Sequence, residues 1–360
     1  MVKYYKTFLI LILLLGACIL IYGISYSFYS LGPWLILFFV GLALALRQFP
    51  KVRGFSFTVL IFAAVSASMY YPEAFIQVGS FELKKLIIPL LMIIMFGMGT
   101  AMSLNDFKGV VKMPKGVLVG VIAQFSIMPL LGFGLAYLAN LPPEIAAGVI
   151  LVGSSPSGLA SNVMAYISGA NLALSVTLTA VATLLSPIMT PLWMTLLADQ
   201  LVPIDFLAML WSITKIVILP IIAGLTFNHL AHGRFPLLDK AMPLISMAGI
   251  AIIITIITAA GRDSLLTLGL VLILVVIVHN MMGYVFGYFG SRLVGLPKQD
   301  ARAVAFEVGM QNAGLASGIA VELGKLATMG LAPAVFGPWM NISGSSLATY
   351  WREKDPQKKE

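Results

Sequence analysis

The sequence predicts an all-α polytopic membrane protein of twelve spans, and three observations predict it. First, 60% of the 360 residues are apolar and 10% are charged, against about 25% charged in an ordinary soluble domain. Second, a spanning helix needs about 20 apolar residues, and twelve of them would use about two thirds of the chain, matching its apolar share. Third, the 22 Lys and Arg residues and the net charge of +8 gather between the apolar runs. That pattern reads as membrane orientation, not as a nucleic-acid surface. A soluble globule, a disulfide-stapled secreted scaffold and a disordered chain are excluded. The single cysteine, Cys18, cannot form an intramolecular disulfide.

The first span covers about 7–27. Lys3 and Lys6 ahead of the run from Phe8 to Ile21 would also suit a signal peptide, and Leu15-Gly16-Ala17-Cys18 loosely resembles a lipoprotein cleavage site. In a chain this apolar, with the run continuing past Cys18, a first span is the simpler reading. Ser30-Leu31-Gly32-Pro33 separates it from a short second span at 32–47, so residues 1–48 form an extra N-terminal hairpin. Ten spans follow, at about 55–71, 86–102, 116–139, 145–167, 171–198, 206–228, 241–260, 265–294, 300–323 and 329–351, delimited by Pro, Gly and charged breakers. With the N-terminus in the cytoplasm, seventeen Lys and Arg residues fall on the inner side; Lys84, Lys85, Arg262 and Lys325 fall outside, and Lys215 falls within a span. This bias supports an even number of spans and two cytoplasmic termini, with residues 353–360 as an inner tail.

The chain repeats itself. Leu141-Pro142 leads to Gly158-Leu159-Ala160-Ser161, and Leu296-Pro297 leads to Gly314-Leu315-Ala316-Ser317, at intervals that differ by one residue. The copies lie five spans apart, so the second enters the membrane from the opposite face. Such an inverted repeat is a common plan of secondary transporters.

Each copy contains an interrupted span. Ser154-Ser155-Pro156-Ser157-Gly158 breaks the first near 154–162; Gly309, Gln311-Asn312 and Gly314 break the second near 307–315. Irregular backbone at membrane depth is tolerated where it faces protein or a wet cavity. Glu307 lies inside the second of these spans, between Phe306 and Val308. A mid-bilayer carboxylate costs roughly 2.5–3.5 kcal/mol on insertion scales, so it needs a cation, a proton or a buried partner. Lys215 is the nearest candidate partner, and Gln311 would share its helix face if the helix persists. Gln124, Ser161, Asn162, Ser175 and Thr179 add neutral oxygens within spans. One carboxylate among neutral oxygens suits Na⁺ and does not suit zinc, which takes His or Cys. Each single hydroxyl is by itself most simply bonded back to its own helix; the inference rests on the group. No nucleotide-binding loop, zinc-protease motif or nucleophile elbow is present, so no catalytic residue and no enzyme is expected.

These residues resemble the bile acid:sodium symporters, the bacterial ones in particular. The resemblance is carried by Met95 to Gly99, Gly120 to Pro129, Gly158 to Met164, Leu174 to Thr179, Glu307 to Gln311 and Asn341 to Ser345, and runs from about residue 54 to 352. It implies two inverted five-helix repeats forming a panel domain (54–102 and 206–260) and a core domain (115–198 and 265–352), with two crossing broken helices. It also implies two Na⁺ ions. One would be held by Ser161, Asn162, Ser175, Thr179 and Glu307. The other would be held by Gln124, Glu307, Gln311 and the carbonyls of Val308 and Met310. Leu159, Ala160, Asn312, Met340 and Asn341 would border the substrate cavity. Relatives often carry Thr at the position of Leu159, and many bacterial ones His at that of Met340, so the resemblance carries sodium further than any one substrate.

The expectation is sodium-coupled symport of an organic anion by alternating access in a bacterial cytoplasmic membrane. The anion would be bile-acid-like or a small carboxylate such as pantothenate or its precursors. The alternatives are proton coupling through Glu307, and a non-transporting sensor or scaffold on the same fold. The expected partners are the small anion and the lipid bilayer, with no nucleic acid. The oligomeric state is open, and a monomer is compatible.

Overall fold

The computed structural model describes residues 9–19, 31–49, 55–231 and 236–354. The end of the first expected span, most of the inner tail, and Lys3, Lys6, Lys51, Arg53, Arg234, Lys358 and Lys359 of the charge argument lie outside them. The described chain is helical almost throughout. Its main helices are α1 (Leu9–Ile19), α2 (Gly32–Arg47), α3 (Ser56–Tyr70), α4 (Ile87–Thr100) and α5 (Pro114–Leu138). The first broken helix is α6 (Pro143–Ser154) with α7 (Leu159–Ser168), and α8 (Leu172–Ala198) follows. A π turn over Thr214–Ile218 joins α9 (Phe206–Ile213) to α10 (Leu219–Ala231). Then come α11 (Pro236–Ala260), α12 (Arg262–Leu293), the second broken helix α13 (Lys298–Gly309) with α14 (Ala313–Glu322), and α15 (Leu331–Lys354).

Local sequence sets these ends. Pro114 and Pro143 sit in first turns, where a missing N–H costs nothing. Asn171 and Asp205 cap α8 and α9 by accepting from Leu174 N and Ala208 N. Gly169, with φ of 68°, ends α7 in the left-handed region. Pro129, Pro187 and Pro191 remain inside α5 and α8 without ending them, as membrane helices permit.

The helices pack in two groups. In one, α3 lies on α11, and α4 lies on α10 and α11, while α2 lies against α3. The α4–α10 crossing is close enough for backbones to touch. A Cβ on Gly99 would lie 2.3 Å from the Ile221 carbonyl oxygen, and one on Gly224 would lie 2.2 Å from that of Phe96. Small residues allow this approach where no hydrophobic effect drives association. In the other group α5, α6, α7, α8, α12, α13 and α15 pack on one another. Contacts between groups include α14 on α4 and α9, where Gly314 and Gly318 face Leu91.

The broken helices are tied to each other at both ends. Glu144, in the first turn of α6, accepts from Lys325 Nζ at 2.5 Å and Thr328 Oγ1 at 2.6 Å, just beyond α14. Asp300, in the first turn of α13, accepts from Asn171 Nδ2 at 2.8 Å, just beyond α7. Acids in first turns also suit the positive helix end. The Lys325–Glu144 side chains are 40% and 35% exposed, and pairs so wet contribute little. Glu144→Gln is therefore expected to lower stability by less than about 1 kcal/mol, read from thermal unfolding of the purified protein in detergent.

Candidate cation site at the helix crossing

The gaps in the two broken helices lie side by side. Pro156, which lacks a donor N–H, sits in the first gap. Ser157 and Gln311 form an antiparallel bridge, and Asn312 N donates to the Pro156 carbonyl at 2.8 Å. The unwound backbone groups thus satisfy one another where water is excluded.

Glu307, in the last turns of α13, is 2% exposed beside this crossing. Ser157 Oγ donates to its Oε2, and Thr179 Oγ1 donates to the same oxygen at 2.8 Å. Ser161 Oγ and Ser175 Oγ each lie 2.6 Å from Oε1. Asn162 Oδ1 completes the cluster, 2.9 Å from Ser175 Oγ and 3.1 Å from Thr179 Oγ1. Ser161 Oγ is also 2.7 Å from the Gly158 carbonyl. Three hydroxyls therefore each face two acceptors with a single proton to give. The cluster holds more lone pairs than protons, an arrangement that a cation or a proton would balance.

No Lys, Arg or His pairs with Glu307 among the described residues. Lys215, weighed above as a partner, sits exposed in the π turn. The expectation that Gln311 shares a helix face with Glu307 is also corrected: α13 ends at Gly309, because the chain unwinds there to meet Ser157.

Gln311 instead joins a second cluster. Gln124 Nε2 donates to Gln311 Oε1 at 2.8 Å and to the Ser155 carbonyl at 2.9 Å. Gln311 Nε2 donates to the Val308 carbonyl at 2.5 Å. Gln124 Oε1 is buried without a hydrogen-bond partner, a costly state for a polar atom unless something positive meets it. Met310, extended and buried, follows in the gap. The hydrogen bonds of Glu307 run to the hydroxyl cluster and not to these glutamines. All ligands in both clusters are oxygens, the donor type of hard cations.

The residues expected at a substrate cavity are placed as follows. Leu159 and Ala160 are half-buried at the start of α7. Asn312 caps α14, its Oδ1 accepting from Leu315 N at 3.0 Å. Met340 is buried in α15, and Asn341 Nδ2 donates to the Gly337 carbonyl of its own helix at 2.8 Å. Sequence reasoning missed the Ser157 hydroxyl as a Glu307 partner. It also missed Asn280, wholly buried on α12, although an amide between His279 and Met281 meets the criterion that singled out Gln124. His279, likewise buried, has Nε2 2.9 Å from the Met128 carbonyl.

The sequence pattern of the Sodium Bile acid symporter family matches residues 88–268. The uncharacterized sodium-dependent transporter YocS of Bacillus subtilis (strain 168) is 42% identical over 307 residues, covering 85% of this chain and 93% of YocS. The probable sodium/metabolite cotransporter BASS1 (chloroplastic) of Arabidopsis thaliana is 37% identical over 270 residues, 75% of this chain and 67% of that protein. Its namesake in Oryza sativa subsp. japonica is 33% identical over 319 residues, 87% of this chain and 76% of that protein. The chain belongs to the Sodium Bile acid symporter family, a family of multi-pass, sodium-dependent membrane transporters and not of enzymes.

Proposed function

We propose that this protein is a symporter that moves an organic anion by alternating access, driven by two Na⁺ ions bound beside the helix crossing. The observation that carries this reading is the proton-poor cluster of oxygens around Glu307. One Na⁺ takes Ser161, Asn162, Ser175, Thr179 and Glu307. Each hydroxyl keeps its proton on one acceptor and turns a lone pair to the ion. The second takes Gln124, Gln311, Glu307 and the carbonyls of Val308 and Met310, and gives the orphaned Gln124 oxygen a partner.

In this reading α3, α4, α9, α10 and α11 form the panel, the remaining helices after α2 form the core, and the two halves are inverted repeats in a bacterial cytoplasmic membrane with both termini inside. The helix N-termini at Leu159 and Ala313 supply positive ends for a carboxylate or sulfonate. Gly158 leaves the first of them without a side-chain cap. The substrate is a bile-acid-like anion or a small carboxylate such as pantothenate or its precursors. Two Na⁺ with one monoanion move one net charge, worth about 2.3 kcal/mol per 100 mV.

The test is uptake of these anions into proteoliposomes containing the protein, in sodium and in choline buffers. Uptake confined to sodium is expected; equal uptake in both rejects the coupling. Uptake that follows a pH gradient at fixed Na⁺ assigns the coupling to protons instead. Gln124→Ala and Gln311→Ala are expected to raise the Na⁺ concentration for half-maximal uptake about tenfold and to lower its Hill coefficient from near two toward one. Unchanged Na⁺ curves in both variants remove the second ion.

A further inference from the structure

The carbonyl of Gly309 is the last of α13, and the helix stops before any N–H four residues on can reach it. The N–H that would continue the ladder, that of Ala313, donates instead to the Gln311 carbonyl. Asn280 takes its place: its Nδ2 donates to the Gly309 carbonyl at 2.7 Å. Its Oδ1 accepts from Ser343 Oγ of α15 at 2.6 Å. Tyr284, one turn along α12, sets its hydroxyl 3.2 Å from Ser343 Oγ. Asn280, Tyr284 and Ser343 are all buried. The packing around them leaves no room to re-aim. A Cβ on Gly309 would lie 2.2 Å from the Tyr284 ring, and one on Gly344 would lie 3.2 Å from its hydroxyl.

We infer that Asn280 and Ser343 are positioning residues that orient the carbonyls of the second gap and link α15 to the ion site around Gln124 and Gln311. This rests on the two-ion reading above. The Gly309 peptide lies between those of Val308 and Met310, so holding its carbonyl restricts the turns open to both neighbours. Losing the Asn280 hydrogen bond removes that restraint and leaves Gln311 Nε2 as the side-chain donor on the Val308 carbonyl. The chain of contacts then continues into α15 at Ser343, within one turn of Met340 and Asn341. A shift of α15 against the substrate is felt at the Gly309 carbonyl through two hydrogen bonds and at Val308 and Met310 through the adjoining peptides, and ion binding is felt at α15 by the same route. Such coupling is reciprocal.

The experiment uses the purified full-length protein and titrates NaCl, with choline chloride holding ionic strength, while thermal stability is followed. Asn280→Ala and Ser343→Ala are expected to raise the half-saturating Na⁺ concentration about tenfold, the low end of what loss of an outer hydrogen bond supporting a metal site costs, with a lower Hill coefficient. Ser343→Thr, which keeps the hydroxyl, is expected to restore the wild-type curve; a merely structural role for Ser343 would not track the hydroxyl in this way. If Asn280→Ala does not fold, Ser343→Ala decides. Wild-type Na⁺ curves in the folded alanine variants overturn the inference. Gln124→Ala measured alongside separates the two failures. A shifted Gln124→Ala curve with unshifted Asn280 and Ser343 variants rejects only the positioning role, whereas an unshifted Gln124→Ala curve rejects the ion site itself.

Discussion

Glu307→Gln is expected to abolish Na⁺-dependent uptake, lowering it at least about 100-fold, while the protein still folds. Gln keeps the shape and one acceptor oxygen but removes the charge. Hydrogen bonds to a charged group are worth roughly 1.5–3 kcal/mol each, and Ser157, Ser161, Ser175 and Thr179 all donate to this carboxylate. With an ion in place, losing the charge also removes the strongest attraction the ion feels. A loss of about 2.7 kcal/mol already gives the 100-fold effect. Without sodium the balance reverses. A buried carboxylate costs roughly 2.5–3.5 kcal/mol on insertion scales, so in choline buffer the Gln variant is expected to melt no lower than the native protein. Thermal unfolding with and without NaCl reads both effects. A Gln variant that sodium stabilises as well as it does the native protein would sink the assignment of Glu307.

Gly99→Ala and Gly224→Ala are expected to destabilise the protein by about 1–3 kcal/mol while leaving the Na⁺ titration of the folded protein where it was. Two effects compete. Ala is better than Gly inside a helix by roughly 0.5–1 kcal/mol, but each new methyl would sit 2.2–2.3 Å from a main-chain carbonyl oxygen of the facing helix. A side chain could swing aside; a helix backbone on either face cannot without parting α4 from α10. The steric term wins. These glycines lie in α4 and α10, and the oxygens of the candidate site lie in α5 to α8 and α13. Thermal unfolding reads the first effect and Na⁺-dependent stabilisation the second. Unchanged stability in both variants would mean that the crossing is looser than these distances imply.

Of the twelve expected spans, six match helices among the described residues that are long and apolar enough to cross a membrane, and these were legible because a bilayer imposes a length and an apolar character on each crossing element. The run at 116–139, for example, meets a helix at Pro114–Leu138. The interruptions were legible because Pro156 and the glycines around Gln311 sit among polar residues at corresponding places in the two copies of the repeat. The polar residues picked out within spans are brought together in the structure as two clusters, since each had to find company away from lipid. Pairing was legible only through the resemblance, which grouped Gln124 with Gln311 across 187 residues; Ser157 meeting Glu307 across 150 and Ser343 meeting Asn280 across 63 were not foreseen. Periodicity and spacing report neighbours along one helix and are silent about contacts made by the fold. The break near 307–315 was legible, and α13 ends within it at Gly309; the partner that Gln311 meets there, Ser157 from the other half of the chain, was not. The π turn over Thr214–Ile218 had a signal that was not read: Pro220 lacks the N–H that would bond the Ile216 carbonyl inside the turn.

The bridge between Ser157 and Gln311, with Asn312 N on the Pro156 carbonyl, decides where the machine can bend. Prising the two strands apart would leave peptide dipoles facing hydrocarbon, at several kcal/mol for each one stranded, on every turnover. The contact of α14 with α4, by contrast, is glycine against leucine and can slip without breaking any polar bond. Under the proposed transport cycle, cargo would ride on an unopened raft, with the sliding seam along its edge.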